Sequence, residues 1–277
     1  MAKKNQSARL TTQQKENLGA VGIFGDEAKS HDVLVGDVSK MALEKIERKY
    51  PQLQFRYRTS VSKEEINNAL QAVDKDLGQT LFVQDANIKP DGGLIEVKDD
   101  SGVWRVILVA EAKHQGKDIE NIQKGIRVGV NNDQDFMVAG NAIERSHKNI
   151  SEIANLMLNE SYFPYVLFLE GSNFLTKNIV VTRPNGERVT INYNTGSLNR
   201  LDRLTAANYG MPVNTNLCKN KFVKSNDRII MLQAASIYTQ GNGGHWDESK
   251  MLKVMLDIAN TSLQMLSPDL FAQLTSK

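Results

Sequence analysis

The sequence predicts an α/β fold in which a mixed central β-sheet is flanked by helices. Two observations carry that reading. Apolar runs suited to buried strands alternate with segments of helical period, the pattern of an α/β chain. Two pairs of strand-like runs are also joined by short turns, so hairpins add antiparallel neighbours to the sheet.

The elements follow in order. Residues 12–49 are helical in pattern, with Asp32 as a cap before a second helix and Pro51 as the stop. Ser62-Lys63-Glu64-Glu65 reads as a capping box that opens a helix through about Ala72. Residues 80–83 form a short strand. Residues 94–97, a turn at Asp99-Asp100-Ser101-Gly102 and residues 104–113 make the first hairpin, and its second strand, WRVILVAEAK, is the most apolar in the chain. Residues 116–130 are polar, with Ile119, Ile122 and Ile126 at helical spacing. Gly140-Asn141 opens a long helix to about Asn159, whose stripe of Ile150, Ile153, Ala154, Met157 and Leu158 has the 3.6 period. Residues 164–169 are another buried strand. The turn Arg183-Pro184-Asn185-Gly186 joins residues 179–181 and 189–191 into a second hairpin. A strand at 229–232 and a helix over 250–266 complete the reading.

No repeat and no Pro- or Gly-rich linker divides the chain, so residues 1–277 are expected to form a single domain. Residues 1–16, with Lys3, Lys4 and Arg9, read as a basic, flexible N-terminal arm. Of the 277 residues 40% are hydrophobic and 24% charged, which suits an ordinary folded core rather than a disordered chain. Cys218 stands alone, which excludes an internal disulfide and any cysteine-based zinc site. The opening MAKKNQSARL has no apolar signal region, and no apolar run approaches membrane-spanning length, so a cytoplasmic protein is expected. Thirty-four basic against 32 acidic side chains leave a charge of +2, which neither announces nor excludes a nucleic-acid partner.

Several chemistries drop out. The chain has no phosphate-binding P-loop, no dinucleotide fingerprint and no nucleophile elbow. His31, His114, His147 and His245 are scattered and form no H-x-x-x-H pair, which argues against a histidine-rich zinc site.

The constellation that remains is Pro90-Asp91 followed by Glu111-Ala112-Lys113. Side chains alternate faces along a strand, so Glu111 and Lys113 share one face and Ala112 takes the other. The apolar run before them places these charges where a buried strand ends, and the hairpin can bring Asp91 alongside. Two carboxylates, a carbonyl and water suit a hard divalent cation such as Mg2+. The plainer alternative is a turn-forming Pro-Asp and an ordinary Glu111–Lys113 ion pair. Charges at a buried strand end nevertheless demand a reason.

A second stretch runs from Asp135 to Asn149. Asn141 can be a helix cap and Glu144/Lys148 a simple i,i+4 pair. Alternatively the polar start of this helix enters a DNA major groove, where Asn pairs with adenine and Met or Val packs on pyrimidine edges. Arg200 and Arg203, one turn apart, are either solvated charges or contacts to guanine and phosphate.

Eight segments together resemble the EcoRI family of type II restriction endonucleases: FGD at 24–26, FRYR at 55–58, IKPDGG at 88–93, VAEAKHQGKDI at 109–119, AGNAIERSHKNISEIAN at 139–155, FPYVLFLEGSNFLT at 163–176, LNRLDRLTAANYGMP at 198–212 and MLQAASIYTQG at 231–241. The likeness extends to the closing QLTSK. It implies a PD-(D/E)xK restriction-endonuclease-like fold, a mixed five-stranded sheet and a homodimer in the bacterial cytoplasm. It implies Mg2+-dependent cleavage of double-stranded DNA at GAATTC, after the G, leaving 5′ overhangs with 5′-phosphate and 3′-hydroxyl ends, with Mn2+ able to substitute. The matching catalytic positions are Asp91, Glu111 and Lys113, with Asp91, Glu111 and the Ala112 carbonyl on the metal. Met137, Val138, Gly140, Asn141, Ala142 and Arg145 would read bases, and Glu144 would support Arg145 at the dimer centre. Gln115, Lys148, Arg200 and Arg203 fall among the matching DNA-contact or support positions. Segments 117–131 and 176–192 would be arms embracing the duplex. A cognate DNA methyltransferase is the implied companion, without a stable complex.

Two departures stand out: Val138 where the family pattern leads us to expect Ala, and Thr59 where Asp is expected. They read as those of a homologue, of the kind of an isoschizomer, rather than of the type enzyme. Outside this resemblance the open alternatives are a PD-(D/E)xK nuclease of DNA repair or recombination, and a catalytically silent DNA-binding module.

Overall fold

The computed structural model describes residues 26–78, 86–129, 131–137, 142–193 and 213–266, with backbone alone at 26–29 and 142–145. The predicted strand at 80–83 and the arm at 1–16 lie outside the described residues.

The described chain opens with helix α1 (Asp26–Lys49). The expected break at Asp32 is absent. His31, Val35, Val38, Ala42 and Ile46 are all buried at spacings of three and four, and one continuous helix is needed to keep them on one face. Tyr50 and Pro51 follow the helix end. The chain then forms β1 (Phe55–Arg58) and the short β2 (Val61–Ser62), and enters α2 (Lys63–Val73). Ser62 caps α2, its side chain accepting from the Glu65 N–H at 3.1 Å, but the expected box is only half formed, because the Glu65 carboxylate pairs with Arg58 instead of reaching back to the cap.

A two-residue β3 (Asn87–Ile88) pairs with β2, and the tight turn Pro90–Gly93 leads into β4 (Leu94–Lys98). Gly93 is required there. Its φ is +67°, and an added Cβ would lie 2.6 Å from the Arg58 carbonyl oxygen. β4 and β5 (Trp104–His114) form the predicted hairpin, and the Asp99 side chain closes its turn by accepting from the Val103 N–H at 2.8 Å.

After β5 come a one-and-a-half-turn helix α3 (Asp118–Gln123), helix α4 (Ala142–Leu156) and strand β6 (Tyr165–Glu170). α3 is much shorter than the 116–130 pattern suggested. A 3-10 turn (Ser172–Phe174) precedes the second predicted hairpin, β7 (Ile179–Thr182) and β8 (Arg188–Ile191). A third hairpin joins the predicted strand, β10 (Arg228–Leu232), to β9 (Lys221–Ser225). The last strand is β11 (Ser236–Thr239) and the last described helix α5 (Glu248–Met265), capped by Asp247.

The central sheet is five-stranded, in the order β1-β4-β5-β6-β11. β1, β4 and β5 are antiparallel neighbours, whereas β5, β6 and β11 run parallel. β5 is therefore the middle strand and the seam between the two halves, and Ile107 to Ala110 are almost wholly buried on both faces. α1 and α5 pack on β5 and on each other, while α4 packs on α2 and reaches β5. Ala110 lies close beneath α1, since a Cβ at Gly92 would meet both the Ala110 methyl and Ser39. Glu111, the next residue, meets α4 through Asn149. Alternation along β5 thus sends α1 and α4 to opposite faces.

The main core spans these layers. A separate small core joins α3 to the second hairpin through Ile122, Leu175, Val181, Val189 and Ile191. By contrast Phe222, Val223, Ile229 and Ile230 of the β9–β10 hairpin are exposed. Among the described residues no helix is long and apolar enough to cross a membrane.

Candidate active site

Asp91 is fixed beside β5 by the backbone around it. The Gly92 N–H donates to the Ala110 carbonyl at 2.9 Å, and the Ala110 N–H donates back to Gly93 at 3.2 Å. The Tyr57 hydroxyl donates to the Gly92 carbonyl at 3.1 Å. A short turn locked to the strand edge in this way brings the Asp91 carboxylate to the end of β5, where Glu111 and Lys113 project from a common face.

The Lys113 ammonium is the meeting point. It donates to the Asp91 carboxylate and, at 2.8 Å, to the Ala112 carbonyl. It also lies 2.8 Å from Glu111 Oε1, as a charge contact lacking the alignment of a hydrogen bond. Burial alone would depress the lysine pKa, but Glu111 and Asp91 outweigh it and hold the amine protonated. Glu111 is fully buried. Burial lifts its carboxyl above the ordinary range against the pull of Lys113, and Asp91 adds to the lift.

Two side chains unforeseen from the sequence steady Glu111. Its Oε2 accepts from Asn149 Nδ2 at 3.1 Å and from the Tyr165 hydroxyl. Asp32, read from the sequence as a helix cap, instead feels Asp91, Lys113 and Glu111. Burial first, then Asp91, raises its pKa to about 6. Local sequence carried no signal for these three: they come from α1, α4 and β6, and only the packing of those elements around β5 assembles them.

The donor set fits a hard divalent cation. Two carboxylates and one carbonyl aim oxygens at a single positive charge, here the Lys113 ammonium, and oxygen-only sites of this kind suit Mg2+ better than softer ions.

The remaining expected contacts divide in two. Gln115 is buried, and its Nε2 has no hydrogen-bond partner among the described residues. Met137 is half-buried and Lys148 exposed. Val138, Gly140, Asn141, Arg200 and Arg203 lie outside the described residues, and at Ala142, Glu144 and Arg145 the backbone alone is seen, as the first turn of α4. The approach to this stretch is anchored. The Met137 N–H donates to Asp118 Oδ1 at 2.8 Å, Ser172 donates to Asp118 Oδ2 at 3.1 Å, and Asp135 pairs with Arg183 of the second hairpin's turn. Thr59 is exposed, just after β1.

Three scattered histidines also come together, contrary to the sequence reading. His31 from α1, His114 from β5 and His245 ahead of α5 all face Glu170 at the end of β6, at 3.4, 3.0 and 3.1 Å. His114 and Glu170 are register partners across parallel strands, and a parallel pair presents the two side chains on one face.

Comparison with known proteins gives a consistent picture. The family described as restriction endonuclease EcoRI matches residues 17–273. The chain is 66% identical to the type II restriction enzyme EcoRI of Escherichia coli over 277 residues, the full length of both. It is 47% identical to the type II restriction enzyme RsrI of Cereibacter sphaeroides over 267 residues, 96% of each. Of these two, it lies nearer the first.

Proposed function

The chain belongs to the EcoRI family of restriction endonucleases and is a type II site-specific deoxyribonuclease; from that premise we propose that it cuts double-stranded DNA at GAATTC, after the G, with Mg2+ as its cofactor. The observation that supports the chemistry is the convergence of Asp91, Glu111 and the Ala112 carbonyl on one cationic point at the end of β5. In this reading those three groups would hold the metal, which would supply a lowered pKa for a bound water and charge neutralisation at the phosphate. Lys113 would orient the water or steady a phosphoryl oxygen. Asn149 and Tyr165 hold the buried Glu111 carboxylate in one orientation, so that an oxygen faces the site.

Sequence reading would fall to the stretch that opens α4, with Asn141 bonding adenine bidentately, Met137, Val138, Gly140 and Ala142 lining the groove, and Arg145, supported by Glu144, at the centre. Gln115, Lys148, Arg200 and Arg203 would support or contact the DNA. A palindrome implies two-fold symmetry, so the active species would be a homodimer, each copy reading one half-site. Segments 117–131 and 176–192 would embrace the duplex. Their shared apolar core and the Asp135–Arg183 pair, which ties them to the entry of the reading stretch, support that role. The enzyme would act in the bacterial cytoplasm beside a methyltransferase that protects the host's own sites.

Digestion of a plasmid carrying a single GAATTC site, with mapping of both cut ends, tests the proposal. Linear product with four-base 5′ overhangs, abolished by excess chelator and restored by Mg2+ or Mn2+, is the expected result. Cleavage at another sequence would refute the specificity, and undiminished cutting in chelator would refute the metal. Asn141→Ala tests the reading role. It should weaken GAATTC binding by roughly 1–3 kcal/mol per half-site while leaving non-specific binding nearly unchanged. A lowered melting point with unchanged discrimination would reduce Asn141 to a helix cap.

A further inference from the structure

The cluster around Glu170 has no part in the reading above. It lies on the other face of β5 from Glu111 and Lys113, because His114 is the next residue along the strand. Glu170 and His114 are both buried, and His245 is largely exposed. His114 Nδ1 and His245 Nδ1 lie 3.0 and 3.1 Å from the same oxygen, Glu170 Oε1, and one ligand atom from each of the three residues falls within 4.8 Å of the other two. The two imidazole rings are stacked, 16° from parallel.

The other carboxylate oxygen is held separately. The Trp246 N–H donates to Glu170 Oε2 at 2.9 Å, and His31 Nδ1 stands 3.4 Å from it. The carboxylate is thereby fixed with one oxygen turned toward two imidazoles, which is how outer hydrogen bonds orient a metal-binding carboxylate.

We propose that His114, Glu170 and His245 form a second metal site, for a borderline divalent transition ion such as Zn2+ or Co2+, distinct from the oxygen-only site of Asp91 and Glu111. Two imidazoles and one carboxylate are a ligand set that such ions accept with a fourth position left open, and Mg2+ prefers oxygen. To bind the ion, each imidazole presents the nitrogen that faces Glu170 and carries its proton on the other ring nitrogen. The exposed edge at His245 supplies both the entry path and room for water in the fourth position. The ion would staple the loop ahead of α5, which carries His245, to the ends of β5 and β6. Its role is structural, so occupancy should raise the melting temperature without being needed for cleavage.

The test uses untagged, metal-stripped, full-length protein in excess Mg2+, titrated with Co2+. Visible absorption reports the coordination, and quenching of tryptophan fluorescence reports proximity to Trp246. One Co2+ per chain with tetrahedral-type absorption is expected. Binding should weaken by more than about 100-fold in His245→Ala, since a direct ligand is lost where an outer partner alone costs about 10–100-fold, and this exposed position leaves the metal-free melting temperature nearly unchanged. His147→Ala, which removes an exposed histidine of α4, should bind as the parent does. The proposal is overturned if no saturable binding appears, if Mg2+ displaces the Co2+, if His245→Ala binds with parental affinity, or if His147→Ala is the variant that loses the ion.

Discussion

Lys113 and His114 are consecutive residues of one strand, yet they face two chemically different clusters. On one face of β5, two carboxylates and a carbonyl surround an ammonium. On the other, histidines brought from three elements surround one carboxylate. The first site draws its charged groups from a single hairpin and its preceding turn, a local unit. The second draws on α1, β5, β6 and the loop before α5. The pleat of the strand is what separates them, since it turns successive side chains to opposite sides of the sheet. An oxygen-rich cluster and an imidazole cluster can therefore sit one residue apart without sharing side chains.

The largest effect should come from the oxygen side. Glu111→Gln keeps the shape of the side chain but removes a charge from the proposed metal-binding set, and cleavage should fall by on the order of 10²–10⁴-fold. Binding to GAATTC in metal-free buffer should be retained or improved, because a carboxylate near phosphate repels it. Single-turnover cleavage beside equilibrium binding checks both. A variant cutting at the parental rate would make Glu111 an ordinary strand-end residue and dissolve the contrast between the two faces.

Tyr165→Phe should have a smaller effect of the same kind. It removes one of the two hydrogen bonds that orient Glu111 Oε2, and loss of such an outer partner costs about 10–100-fold in activity or metal affinity. The signature is a rightward shift of the Mg2+ dependence of cleavage. Loss of folding stability with an unchanged Mg2+ midpoint would assign Tyr165 to packing alone.

A third variant perturbs the strand without touching either face of its far end. Asp99 closes the β4–β5 turn, accepting from Val103, Ser101 and Arg105. Asp99→Ala should cost about 1–2 kcal/mol of stability, the scale of one or two net hydrogen bonds. Both sites should be left working. The pH dependence has a definite sign. The Asp99 carboxyl is partly buried, which would raise its pKa, but the hydrogen bonds from Ser101, Arg105 and Val103 prevail and lower it from 3.8 to about 2. Its contribution is thus complete above about pH 4 and lost as pH falls through 2. The difference in melting temperature between parent and variant should shrink over that window, and a constant difference would show that the charge is irrelevant.

The smallest effect on cleavage should come from the imidazole side. His245→Ala should leave the Mg2+-supported rate within about twofold, with stability changed by less than about 0.5 kcal/mol when no transition ion is present. A large loss of cleavage would mean that the two faces are coupled through β5.

Much of the oxygen site was legible because its information is local. The period-2 alternation and the apolar run of residues 104–113 fix a central strand, and the same alternation puts Glu111 and Lys113 on one side of it. Pro90-Asp91 and the Asp99–Gly102 turn bring the other carboxylate into range, and the likeness to the EcoRI family named the outcome. Helix breaks were less legible. Asp32 has the chemistry of a cap, but a buried face running from His31 to Ile46 keeps α1 continuous, and the aspartate is left beside Asp91 and Lys113. β1 and β11 carry little periodic signal in the sequence, because they are short edge strands of mixed polarity.

What the sequence by itself determined was every feature set by neighbours along the chain: the α/β class, the two hairpins, the cap at Ser62, and the motif that places two charges on one strand face. Only the tertiary structure decided that Asn149 and Tyr165 would hold Glu111, and that His31, His114 and His245 would meet at Glu170. Those contacts depend on which strands lie side by side, in what register, and which helix covers which face. A residue's chemistry is written at its own position, but its partners are chosen by the packing of distant elements, and no local period encodes that choice.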